Sequence, residues 1–198
     1  MKLIRRPWIW LLRVRNRKGY GVHSPAVYSF LRGVVYEDGA YYAYESLNRL
    51  HPWWVRSLSL YPLTCRRLLF RLANYVHPQR VMLVGDCPVE TAYMHAAVPS
   101  AITEMVPLPT DSSPLHINVS ATALLFLSHD ALCRLSLPLS VLPSSLIIAE
   151  GIHGSAFARA KWKALQADSR IGATFDLYTY GLAFVGPPHA PRNYIVNF

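Results

Sequence analysis

Residues 80–97, RVMLVGDCPVETAYMHAA, constrain this chain more than any other stretch. The unbroken apolar run at 81–85 predicts a strand buried on both faces. Gly85 closes it, a short turn follows, and residues 89–97 predict a helix. A buried strand, a glycine, a turn and a helix form the unit with which α/β proteins hold nucleotide-like cofactors at a strand's carboxyl end. Loops that cradle phosphates or cofactors normally carry two or three glycines. This one carries Gly85 alone.

The pattern continues downstream. Short apolar runs at 101–105, 116–119, 123–128 and 145–151 predict further strands, and residues 155–167 predict a helix. Residues 174–186 and 194–198 read as paired antiparallel strands that finish the sheet. The stretch 106–115 holds three prolines and reads as a loop. Upstream the period changes to that of helices, at 26–36, 41–50 and 63–76. In the last of these, Leu68, Leu69, Leu72, Ala73 and Val76 form one stripe, with Arg66, Arg67 and Arg71 off it. The expected fold is α/β, a Rossmann-like doubly wound, mostly parallel sheet with antiparallel C-terminal strands and an N-terminal helical extension. The expected division is a basic, mainly helical extension over 1–79, packed on a Rossmann-like domain over 80–198.

Hydrophobic residues make up 52% of the chain and charged residues 16%, so a buried core is expected and disorder excluded. Residues 1–80 hold 14 Lys/Arg against three acids, and residues 81–198 hold six against eight. Such asymmetry points the N-terminal part towards an anionic partner or an acidic face of its own protein. Residues 1–18 read as a helix opened by Pro7 and ended by Gly19, with tryptophans among arginines. It could meet nucleic acid phosphates or an anionic membrane surface, or dock its tryptophans and solvate its arginines. The apolar run Trp8–Leu12 is five residues, too short for a signal-peptide core or a membrane span. Cys65, Cys87 and Cys133 show no metal-ligand spacing and are expected as reduced thiols in a cytoplasmic protein.

KGYGVHSPAVYSFL, RRLLFRLANYVHPQRVMLVG, EGIHGS followed by KWKAL, TFDLYTYGLAFV and the terminal YIVNF together resemble the class I S-adenosylmethionine-dependent methyltransferase family. More narrowly they resemble a group often found in Bacteroidetes, with an N-terminal GxGVHSP segment. The resemblance implies a seven-stranded, mostly parallel sheet with an antiparallel final hairpin, and S-adenosylmethionine as cofactor. It implies cofactor contacts at Gly85, Asp86 and His129, and ribose hydroxyls bound by Glu104. At the family's first motif this chain departs, with Leu83 at the acid position and Cys87 and Val89 at later glycine positions. Cys87 adds a Cβ where backbone must approach the ligand, and Pro88 removes a donor. Leu127 stands where a polar residue follows the fourth strand.

Ligands of doubly wound sheets sit outside the carboxyl ends of the strands. Asp86, Glu90, Glu104, His129, Asp130, Glu150 and His153 are expected there. His153 is the candidate catalytic base and Glu150 the candidate to orient it, for an oxygen nucleophile on a small-molecule substrate. Carboxylates and imidazoles at His129, Asp130, Glu150 and His153 would also suit a divalent ion, although they equally suit loop ends that cap helices and meet solvent. His23 reads as a turn residue or a lid contact. Tyr41, Tyr42, Tyr44, Trp53 and Trp54 read as a packed interface or a stacking surface. Three functions stay open: an oxygen methyltransferase, an inactive protein of that fold that binds a partner, and a binder acting through residues 1–18.

Overall fold

Side chains alternate across a strand, so an unbroken apolar run serves two cores at once. The computed structural model describes residues 11–16, 22, 24–49, 63–111, 113–119, 121–187 and 193–198. Its helices are α1 (Pro25–Phe30), α2 (Tyr44–Arg49), α3 (Leu63–Val76), α4 (Pro88–Ala97), α5 (His129–Arg134) and α6 (Ala156–Ala167). Its strands are β1 (Arg80–Val84), β2 (Ile102–Val106), β3 (Asn118–Val119), β4 (Ala123–Leu127), β5 (Ser140–Val141), β6 (Leu146–Glu150), β7 (Ile171–Asp176), β8 (Tyr180–Val185) and β9 (Asn193–Ile195). Val81, Leu83, Leu124, Phe126, Leu146 and Ile148 enter one core, which α1, α2, α3 and α4 complete. Met82, Val84, Leu125, Leu127, Ile147 and Ala149 enter the other, beneath α5 and α6.

Seven strands pair in the order β2-β1-β4-β6-β8-β7-β9. Strand β8 runs antiparallel to both neighbours, and every other pair is parallel. The fold is therefore the expected Rossmann-like, doubly wound, mostly parallel sheet with an antiparallel hairpin near its end. The last strand differs from expectation, since β9 joins β7 in parallel. From β1 the chain leads outward to β2, and β4 starts the other half. The cleft between β1 and β4 is the topological switch point where such sheets place ligands.

Strand β2 is the edge, and Ile102 and Met105 are correspondingly exposed. The expected third strand, at 116–119, does not extend this sheet. Only Asn118–Val119 is a strand, paired with Ser140–Val141 in a separate two-stranded sheet. The physical reason lies in the proline-rich loop after β2. A parallel strand beyond β2 needs a crossover, usually helical, and the prolines deny one. The chain instead lays Leu115, Ile117 and Val119 over the second core.

Upstream, Ser24 caps α1 by accepting from the Val27 amide, and Pro25 fills its first turn. The helix runs on as a π-helical turn at Leu31–Val35. Helix α3 buries Leu68, Leu69, Leu72 and Ala73 of its predicted stripe and partly buries Val76, but it also buries Arg71, which the periodicity places off that stripe. The Arg71 guanidinium is drawn in by the carbonyls of Val34 and Val35. Tyr41 and Tyr44 pack their rings on Phe70, Tyr44 buried and Tyr41 partly so, whereas Tyr42 meets Phe70 from an exposed position. Trp53, Trp54, His23 and most of segment 1–18 lie outside the described residues. Among the described residues no helix is long and apolar enough to cross a membrane.

Candidate functional site

Strands β1, β4 and β6 lie side by side and β7 runs parallel to them beyond antiparallel β8, which sets Gly85, Ser128, Gly151 and Asp176 along one edge of the sheet. At the switch point this edge is filled. Gly85 has φ +112°, a conformation that side chains rarely adopt. A Cβ built there would lie 2.3 Å from the Ser128 hydroxyl oxygen and 2.8 Å from its Cβ. The space above the glycine thus belongs to Ser128, which also caps α5 by accepting from the Ala131 amide. The Gly85 amide donates to the Val106 carbonyl at 2.9 Å, so it too is committed within the protein.

Cys87 completes the closure. It is buried beside Gly85. Burial, with Glu90, Glu150 and Asp86 near it, pushes its thiol up to about 12. At neutral pH it is a protonated apolar filler, not a nucleophile. An extended cofactor needs glycine at this turn so that backbone can approach it, and free amides to meet its polar groups. Gly85 is the one glycine at this turn and its amide is spent on Val106, while Cys87 and Pro88 stand where further glycine and a further donor would serve, so the turn fits S-adenosylmethionine poorly. Gly85→Ala would combine strain at positive φ with displacement of the Ser128 cap. A loss of about 2 kcal/mol in unfolding free energy is expected from urea titration.

Glu104, expected at the ribose, lies two residues before the end of β2, level with Met82. Its carboxylate is 3.5 Å from Arg80 at the start of β1. Asp86 stands exposed on the turn after Gly85. Glu90 lies 3.8 Å from Arg66 and ties α4 to α3. His129 opens α5, with Nδ1 3.2 Å from the Gly151 carbonyl. Asp130 is exposed beside it. The four residues considered as a cation site are not gathered into one, and no group of three or more His, Cys, Asp or Glu among the described residues could hold a metal ion.

His153 does sit in a built polar cluster, but the carboxylate that holds it is Asp176. His153 Nε2 is 2.8 Å from Asp176 Oδ2. Arg13 clamps the same carboxylate, with Nη1 2.9 Å from Oδ1 and Nη2 3.1 Å from Oδ2. The Tyr178 ring stacks on the imidazole at 5.1 Å between centroids, and the Arg13 guanidinium lies over that ring. Burial alone would raise the Asp176 pKa. Hydrogen bonds from His153 and Arg13 outweigh it and hold the carboxyl at about 2. An ionised carboxylate only accepts, so Nε2 carries the proton and a neutral His153 keeps its lone pair on Nδ1. Glu150, expected to orient His153, ends β6 opposite Tyr180 and contributes its charge near Cys87.

The sequence reads 174–186 and 194–198 as the antiparallel pair and so places no strand end at Asp176, whereas the structure ends one strand there and starts the next at Tyr180. As the last residue of a strand parallel to β6, Asp176 meets the same rule that located Glu150. Arg13 lies 163 positions away in sequence and no local pattern points to it. No family model matches the chain. No curated protein matches it either. A solved crystal structure from Klebsiella pneumoniae, provisionally described as an O-methyltransferase, is similar at 12% identity and a TM-score of 0.45, covering 82% of this chain and 97% of that one. At that level the likeness carries no argument about activity.

Proposed function

We propose that this chain is a methyltransferase-like protein whose cofactor cradle is closed, and that it works by binding a partner without transferring a methyl group. The observation that supports this is the Ser128 side chain standing over Gly85, with the Gly85 amide spent on Val106. The imbalance of 14 Lys/Arg against three acids over residues 1–80 makes an anionic partner, nucleic acid or membrane surface, the natural one. A second reading, methylation of an oxygen on a small molecule with S-adenosylmethionine as donor, is favoured by the His153–Asp176 pair. An imidazole held through Nε2 presents Nδ1 as a base.

Calorimetric titration of the full chain with S-adenosylmethionine and S-adenosylhomocysteine separates the two. No heat of binding is expected from a sample with a cooperative thermal unfolding transition. Binding at about micromolar strength would sink the closed-cradle reading.

A further inference from the structure

We propose that Cys133 is a nucleophilic thiol, activated by His129 and supported by Ser155, that forms mixed disulfides with small disulfide substrates. It shares no residue with the Arg13–Asp176–His153 cluster, and it does not depend on whether the cofactor cradle is closed.

The orientation of the imidazole carries the inference. His129 Nδ1 is 3.2 Å from the Gly151 carbonyl oxygen, which can only accept, so Nδ1 holds the ring proton. The ring lies in space that Gly151 and Gly154 leave open by having no side chain. A Cβ at Gly151 would come within 2.9 Å of Nδ1, and one at Gly154 within 2.7 Å of Cε1. The other nitrogen, Nε2, therefore presents a lone pair, and it faces Cys133 Sγ at 3.8 Å. The two residues are one helical turn apart on α5, the spacing at which side chains meet. On the sulfur's other side Ser155 Oγ stands at 3.5 Å. That oxygen already accepts the Ala158 amide proton as the cap of α6, so its own proton is available to the sulfur.

Nucleophile, base and orienting group are thus in place: Cys133, His129 and the Gly151 carbonyl. The thiol passes its proton to Nε2. The resulting thiolate accepts the Ser155 hydroxyl and lies by the amino end of a twelve-residue helix, where partial positive charge favours it. It attacks one sulfur of a disulfide RS–SR. A Cys133–S–SR bond forms, the RS–SR bond breaks, and RS⁻ leaves and takes the proton from His129. No outside oxidant is needed, because the disulfide is itself the oxidant. Cys133 is partly exposed, whereas Cys65 and Cys87 are buried.

The test uses the full native chain and dithiobis(nitrobenzoate), with thiolate release followed in time and the modified cysteine found by peptide mass mapping. Native Cys133 should react about tenfold faster near neutral pH than the same cysteine in urea-unfolded chain, and well ahead of Cys65 and Cys87. His129→Gln should remove about tenfold of that rate and change its pH profile, with a smaller loss of rate in Ser155→Ala. A native rate no greater than the unfolded rate would overturn the proposal. So would an unchanged rate and pH profile in a folded His129→Gln protein. The native-to-unfolded comparison needs no variant, so it stands even where a substitution impairs folding.

Discussion

Arg71→Ala is expected to lower the unfolding free energy by about 4 kcal/mol, more than any other single change considered. The side chain is 6% exposed. Its Nε donates to the Val34 carbonyl at 2.7 Å and its Nη2 to the Val35 carbonyl at 3.0 Å. Those carbonyls end the helical run that starts at Pro25, where the backbone leaves acceptors without intrahelical partners. A cation is favoured at that end of a helix. Hydrogen bonds from a charged donor contribute roughly 1.5–3 kcal/mol each, and two good ones set the estimate. Nη1 also reaches the Tyr44 hydroxyl at 3.5 Å, so one side chain joins α1, α2 and α3. Arg71→Met keeps most of the buried stem and should recover only about 1 kcal/mol of the loss. Urea unfolding at constant slope measures both. A loss under about 1 kcal/mol for Arg71→Ala would show that water replaces the guanidinium at these carbonyls.

The same residue shows what a sequence can and cannot tell. Helix α3 was legible because Leu68, Leu69, Leu72 and Ala73 repeat at helical spacing, and its two ends agree with the expected bounds. The burial of Arg71 was not, because its partners are carbonyls 36 and 37 positions upstream, which no local period encodes. The strands were legible for a related reason. A strand buried on both faces has no polar alternation, and β1, β4 and β6 show none. What failed was pairing. HINV has the composition of a strand, but whether it joins the sheet depended on the crossover before it, and three prolines removed that crossover. At the site, Gly85 and His153 were found by their place after strands. Ser128 carries no sequence signal of its own, because its place beside Gly85 comes from the pairing of β1 with β4. Leu83, Cys87 and Val89 depart from the motif at positions the sequence shows, and the structure sets the Ser128 hydroxyl beside Gly85.

Asp176→Asn is expected to remove a stability contribution that depends on pH in a defined direction. The Asp176 carboxyl is held at about 2, below its ordinary 3.8. A carboxyl with a depressed folded-state pKa stabilises the fold fully above its ordinary value, and that contribution disappears as pH falls to the folded-state value. The window therefore runs from about pH 4 down to about pH 2, and the contribution within it is about 2 kcal/mol. The pair is mostly buried, with the Arg13 and Asp176 side chains 15% and 10% exposed, so salt should screen it weakly. Unfolding free energies of the native chain and Asp176→Asn, measured across this window, should differ most at its upper end and converge below it. A constant difference would mean that the carboxylate's charge contributes nothing. Asp176→Ala should cost more at neutral pH, about 3 kcal/mol, because it leaves Arg13 partly buried without its partner and frees the imidazole of His153. If His153 acts as a base, both substitutions should also abolish its preference for the proton on Nε2, since Asp176 is the acceptor that favours it there while Arg13 Nη2, 3.3 Å from the same nitrogen, can only donate. Nitrogen-15 chemical shifts of the ring read that preference directly. An unchanged tautomer in Asp176→Asn would show that Asp176 anchors the N-terminal segment through Arg13 without governing the imidazole.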